Sequence, residues 1–190
     1  MGNKSKIFLL FCIPFLVSSY SEPSASEALF GPKSYPGISS CWVLDPEVKV
    51  CANSRVTEAR VRRAISYWEK LGYEFSEVIY NDSSISCAGT PGFGEIIIDI
   101  PGQNFDNSKL ATTSLTSNRA VGVVIHAEIQ IPDINTTKER VLEHELGHAL
   151  GWGHTNRSYH IMNENWARGG HDATGVDRRR YSEVLEGLCR

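Results

Sequence analysis

Three of the six histidines fall within eleven positions, in the segment His144-Glu145-Leu146-Gly147-His148-Ala149-Leu150-Gly151-Trp152-Gly153-His154. Imidazole nitrogen is a good donor to zinc and its neighbours in the first transition row. Residues four apart on a helix stand nearly in register one turn apart, so His144 and His148 can grip a single ion. Glu145 projects from a neighbouring angle, where its carboxylate can reach a water beside the metal without binding the metal itself. His154 could not join them on a continuous helix: it would lie about 120° off that face and about 9 Å further along the axis. Gly151 supplies the break, since glycine adopts the left-handed conformation that stops a helix and reverses the chain. Gly153 adds freedom to the return. Three histidine ligands leave a fourth position open, the mark of a catalytic rather than a structural site.

These residues need a scaffold that holds the helix still. Thr136 and Glu139 have capping-box spacing and predict a helix from about Thr137 to Leu150. Before it, Val121–Ile131 reads as a strand with Ile125, Ala127, Ile129 and Ile131 on one face and His126, Glu128 and Gln130 on the other. Leu110–Thr116 is polar and Thr-rich, the composition of an edge strand. Glu47–Ala52, Phe75–Tyr80 and Glu95–Ile100 read as further strands, with Pro91-Gly92-Phe93-Gly94 as a turn. Ser54 to Leu71 reads as a helix capped by Ser54, with Val61, Ala64, Ile65, Trp68 and Leu71 on its apolar stripe and Gly72 at its end. Residues 151–176 show no period, and Asp177–Leu188 reads as a last amphipathic helix. Arg178, Arg179 and Arg180 on it read as a solvated face. The element order argues for an α+β fold in one domain.

The 190 residues are 41% apolar and 22% charged, the mix of a globular protein. A net charge of −3 argues against a nucleic-acid surface. The longest apolar run, Ile7–Val17, is too short to span a bilayer. Preceded by Lys4 and Lys6 and followed by Ser18, Ser19 and Ser21, it reads as a signal peptide over 1–21, implying a secreted or periplasmic protein. Residues 22–40, rich in Ser, Pro and Gly, read as a flexible lead-in to a domain spanning 41–190. Removing the signal removes Cys12 and leaves Cys41, Cys51, Cys87 and Cys189. An even count in an exported chain suggests two disulfides with three possible pairings, of which Cys41–Cys51 and Cys87–Cys189 is favoured. Asn81, Asn135 and Asn156 head glycosylation sequons, which matter only in a eukaryotic secretory pathway.

The segment 144–154 resembles the zinc-binding signature of the metzincin peptidases, His-Glu-x-x-His-x-x-Gly-x-x-His. Met162, eight residues after His154 in Tyr159-His160-Ile161-Met162-Asn163, is similar to that clan's methionine turn. With Thr155 after the third histidine, the pattern is most like the matrixin family. The resemblance implies a zincin-like fold: a mixed, mostly parallel twisted sheet with an antiparallel edge strand, an active-site helix, and a small C-terminal subdomain ending in a helix. It implies one catalytic Zn2+ held by His144, His148 and His154, and peptide-bond hydrolysis with Glu145 as general base. It further implies a peptide substrate laid along Leu110–Thr116. Neither nucleic acid nor a membrane span is expected, and a monomer is. The chain also departs from the family. No Pro-Arg-Cys-Gly latency segment is recognisable, and neither are segments for additional structural Ca2+ or Zn2+. Glu164, two after Met162, stands where a tyrosine ligand of the astacin kind would be. The rival reading is a catalytically silent metzincin-like zinc-binding or interaction protein, against which the retained Glu145 weighs. His126, His160 and His171 read as solvated strand or loop histidines, and Trp152 and Trp166 as packing or cleft-lining residues.

Overall fold

The run Glu95-Ile96-Ile97-Ile98 has no polar alternation, and all four residues are buried. A strand covered on both faces demands that composition. This strand, β3 (Glu95–Asp99), is the centre of a five-stranded sheet ordered β2-β1-β3-β5-β4. The others are β1 (Glu47–Cys51), β2 (Val78–Asp82), β4 (Thr112–Asn118) and β5 (Val123–Gln130). β1 pairs in parallel with β2 and β3, and β3 with β5. Only β4, at the edge, runs antiparallel to its neighbour β5. Three helices complete an α+β fold: α1 (Glu58–Glu69), α2 (Val141–Ala149) and α3 (Arg178–Leu185). The computed structural model describes residues 35–38, 40–118 and 120–185. The expected signal peptide, residues 22–34, Cys189 and the end of the last helix lie outside these. No helix among the described residues is long and apolar enough to cross a membrane.

α1 packs on α2 through Trp68, which is fully buried and donates its indole N–H to the carbonyl of Glu143 at 2.8 Å. Arg60 of α1 lies 3.6 Å from the buried carboxylate of Glu143. The start of α2 differs from the expected capping box. A 3-10 turn, Asp133–Asn135, takes that stretch, and Thr136 donates its hydroxyl to the carbonyl of Asp133. Arg140 then adopts a left-handed φ of 65°, so the helix opens only at Val141. At the other helix the cap position is Thr57, not Ser54.

Phase along β5 also departs from strict alternation. The register steps between Thr116 and Ser117, which face His126 and Val124, so Ile125 is an extra residue in the ladder. The bulge turns Val124 into the core and leaves Ile125 half-buried, with its carbonyl taken by the N–H of Gly94.

The disulfide framework is not the favoured one. Cys51 bonds to Cys87, with Cα atoms 5.5 Å apart. Cys51 ends β1, and the 3-10 turn Ile85–Ala88 after the neighbouring β2 carries Cys87 back to it. Cys41 bridges Val123 at the start of β5. Parallel pairing therefore puts Cys41 and Cys51 at opposite ends of the sheet, beyond the reach of a bond. Cys41 is itself in a disulfide. Closing a 36-residue loop contributes about 4 kcal/mol on the chain-entropy account.

Over its described part the lead-in docks on the domain. Ile38 forms an antiparallel bridge with Trp152, and the carbonyl of Gly37 accepts the N–H of Gly153 at 2.8 Å. The glycine-rich turn after α2 has backbone donors to satisfy, and this segment satisfies them. Arg178 is not simply solvated: its guanidinium packs 5.0 Å from the Tyr181 ring centroid. Asn135 is buried, donating its side-chain amide to Leu110, so that sequon is closed to a glycan.

Candidate metal centre

The end of α2 delivers the third histidine. The N–H of Gly151 bonds to the carbonyl of His148, and that of Trp152 to the carbonyl of Gly147, at 2.8 and 3.0 Å. This is the Schellman arrangement that closes a helix around a left-handed residue. Gly151 takes a φ of 102°, and a Cβ there would collide with the carbonyl oxygen of Ser40. Position 151 thus requires glycine twice over, for its backbone angle and for the docked N-terminal segment. Trp152 anchors the turn, buried with its indole N–H on the hydroxyl of Tyr73 at 2.7 Å.

Beyond this reversal His154 returns to the helix. The Nε2 atoms of His144 and His148 are 3.0 Å apart, those of His148 and His154 3.0 Å, and those of His144 and His154 3.2 Å. A tetrahedral ion with ligands at 2.0–2.1 Å needs nitrogens about 3.3 Å apart, so the triad can hold a metal ion. The opposite ring nitrogens settle the tautomers. Nδ1 of His144 lies 2.7 Å from the carbonyl of Ile161, and Nδ1 of His148 lies 2.7 Å from the carbonyl of Trp152. A carbonyl only accepts, so each Nδ1 carries the proton and each Nε2 turns a lone pair to the centre. Lone pairs so close together repel unless a cation lies between them. Burial lowers the pKa of His144 to about 4 and that of His148 to about 3, so both stay neutral, as ligands must. His154 is exposed, and its pKa is lowered, again by desolvation first.

Glu145 is not among the converging ligands. It is buried, and desolvation raises its pKa to about 7. Its Oε2 accepts the hydroxyl of Thr113 at 2.6 Å, and its backbone carbonyl lies 3.1 Å from the same hydroxyl. The edge strand β4 therefore seats this carboxylate beside the triad.

Met162 lies fully buried under α2. Gly147 makes this possible: a Cβ there would collide with Met162 Sδ and Trp68 Cζ2. Behind it His160 is also fully buried, correcting the expectation of a solvated histidine. Its Nδ1 accepts the N–H of Met162 at 3.0 Å, and its Nε2 lies 3.2 Å from the carbonyl of Thr174. The role is structural, since it pins the turn whose Ile161 carbonyl orients His144. His126 and His171 take no part: one lies beside Glu128 and the other packs against Tyr67.

A cleft of about 1190 Å³ runs over the triad, lined on one side by Thr112, Thr113 and Leu115 of β4 and on the other by α2 and residues 161–169. Trp166 and Trp152 both line it, Trp166 exposed and Trp152 buried against the core. Thr113, Gly147 and Arg140 escaped the sequence reading. Gly147 alone left a trace, as a glycine inside a helix with no turn to explain it. No family model matches the chain, and no curated protein matches it.

Proposed function

We propose that the protein is a secreted zinc-dependent endopeptidase of the metzincin kind, most like the matrixins, with His144, His148 and His154 as ligands and Glu145 as general base. The observation that carries the reading is the convergence of three Nε2 lone pairs beside a buried carboxylate that is itself no ligand. An all-imidazole set suits zinc, and three protein ligands leave the coordination that hydrolytic zinc sites keep open. When bound, the ion supplies Lewis acidity at that open face, acidifying water and polarising a carbonyl oxygen.

Glu145 moves the proton. Thr113 occupies Oε2, leaving Oε1 to take a proton from the attacking water and to return it to the amine nitrogen as the C–N bond breaks. Water is thereby divided, hydroxyl to the carbonyl carbon and hydrogen to the nitrogen. In the metal-free protein burial raises the Glu145 carboxyl to about 7, toward the range in which a group can both accept and donate a proton. Among the described residues nothing pairs with the outer edge of β4, and an extended peptide can pair with its backbone across the cleft. The order of charge, apolar run and small residues at the N-terminus supports export, as does the Cys51–Cys87 bond. The protein should carry one equivalent of zinc and cleave peptides, and a chelator should abolish cleavage. If zinc-loaded protein cleaves no member of a diverse peptide library, the reading is wrong.

A further inference from the structure

The cleft carries a positive charge that the hydrolytic step does not use. Arg140 stands one turn before His144, whose N–H bonds to the Arg140 carbonyl at 2.9 Å. Its guanidinium lies 5.1 Å from the Trp166 ring centroid and donates from Nη2 to the Trp166 carbonyl at 3.4 Å. Trp166 is held in turn, with its indole N–H on the carbonyl of Glu139 at 2.9 Å. Gly169 leaves room for the arginine: a Cβ there would stand 3.0 Å from Nη1. Among the described residues no carboxylate pairs with this guanidinium. Five N–H donors in a planar fork thus have one long hydrogen bond between them, at the wall of a cleft.

The rest of the cleft does not neutralise it. Glu145 is buried and bonded to Thr113, and Glu164, which also lines the cleft, acts on His154 and forms no ion pair with Arg140. Lys109 adds a second cation to the lining. Lys138 stands 5.9 Å from the same Trp166 ring centroid, so two cations gather at this indole. A carboxylate is the natural partner of an indole-backed guanidinium, because it meets the fork with two parallel hydrogen bonds.

We propose that the cleft selects peptides bearing an aspartate or glutamate within two residues of the scissile bond, with that carboxylate on Arg140. The proposal rests on the endopeptidase reading. Its test is cleavage profiling of the zinc-loaded protein on a randomised peptide library, together with binding of fluorescent peptides to a Glu145→Gln variant that does not turn over.

Acidic residues should be enriched about tenfold over Gln at one position flanking the cut, the ratio that ~1.4 kcal/mol gives. The preference should shrink in 1 M salt, disappear in Arg140→Gln, and persist in Arg140→Lys in weakened form. Anisotropy on Glu145→Gln should show the same order of peptides. Cleavage indifferent to charge, or a preference unchanged in Arg140→Gln, overturns this assignment and leaves the hydrolase reading standing. Absence of all cleavage overturns the hydrolase reading, and the binding arm still decides the preference. Should Arg140→Gln fail to fold, the wild-type profile and its salt dependence decide the matter.

Discussion

At His144 the geometry is held by backbone. The Ile161 carbonyl orients the ring, the Trp152 carbonyl orients its neighbour His148, and buried His160 and Met162 brace the loop that supplies Ile161. Six ångströms or so away along the helix, at Arg140, the arrangement is of another kind. A long side chain leans on a part-exposed indole and makes one hydrogen bond at 3.4 Å. The first region is rigid because its polar atoms are partnered inside the fold. The second keeps donors spare for something outside it. On the proposed reading, reaction geometry and substrate choice fall to parts of one cleft that differ in how firmly they are fixed, and substitutions in the two should behave differently.

The largest effect should come from Glu145→Gln. Hydrolysis should fall by 10²–10⁴ or more, while the protein still binds one equivalent of zinc, since amide and carboxylate differ little in shape. Full activity in that variant would remove Glu145 from the mechanism.

Gly147→Ala comes next. The added methyl collides with Met162 and Trp68, so unfolding free energy should drop by about 2–3 kcal/mol, lowering Tm by roughly 5–10 °C. An unchanged melting curve would show the packing under α2 to be looser than described.

The pH dependence of the metal-free protein is of similar size. Below about pH 4.5 Glu145 is protonated folded or unfolded. Between there and pH 7 the unfolded chain ionises while the folded one keeps its proton, because burial holds the pKa at about 7. Stability should therefore fall by up to about 3 kcal/mol as pH rises through that window. Glu145→Gln should remove this loss, making the inactive metal-free variant the more stable at pH 8 in thermal melts. His144 and His148 act at the acid end, where keeping them neutral costs stability as pH drops below 6.5.

Thr113→Val should lower kcat about tenfold with little change in KM, as the carboxylate loses its tether but the cleft keeps its shape. A raised KM with kcat unchanged would place Thr113 in substrate binding instead. The smallest effect on the fold should come from Trp166→Ala, within about 0.5 kcal/mol of the parent in denaturant titration. A large loss there would erase the contrast between the two ends of the cleft.

What the sequence made legible follows the same division. The spacing of His144, His148, Gly151 and His154 encodes a helix, a stop and a return, all local geometry, and the convergence of those rings follows from it. The central strand declared itself by three successive isoleucines. The cysteine pairing did not, because Cys51 and Cys87 meet only through parallel strand order, a long-range fact with no local sign. The late start of α2 depends on a left-handed arginine that no propensity favours. Thr113 and Arg140 are reached only by knowing that β4 and the 161–169 loop flank the same helix.

The central claim is that the three histidines bind one ion through Nε2 and leave a coordination position free. Zinc-edge X-ray absorption on protein loaded with a single equivalent tests it most directly. The account predicts three nitrogen neighbours at about 2.0–2.1 Å plus one further light atom. A sulfur neighbour at about 2.3 Å, fewer than three imidazoles, or a closed shell of four protein ligands would contradict it.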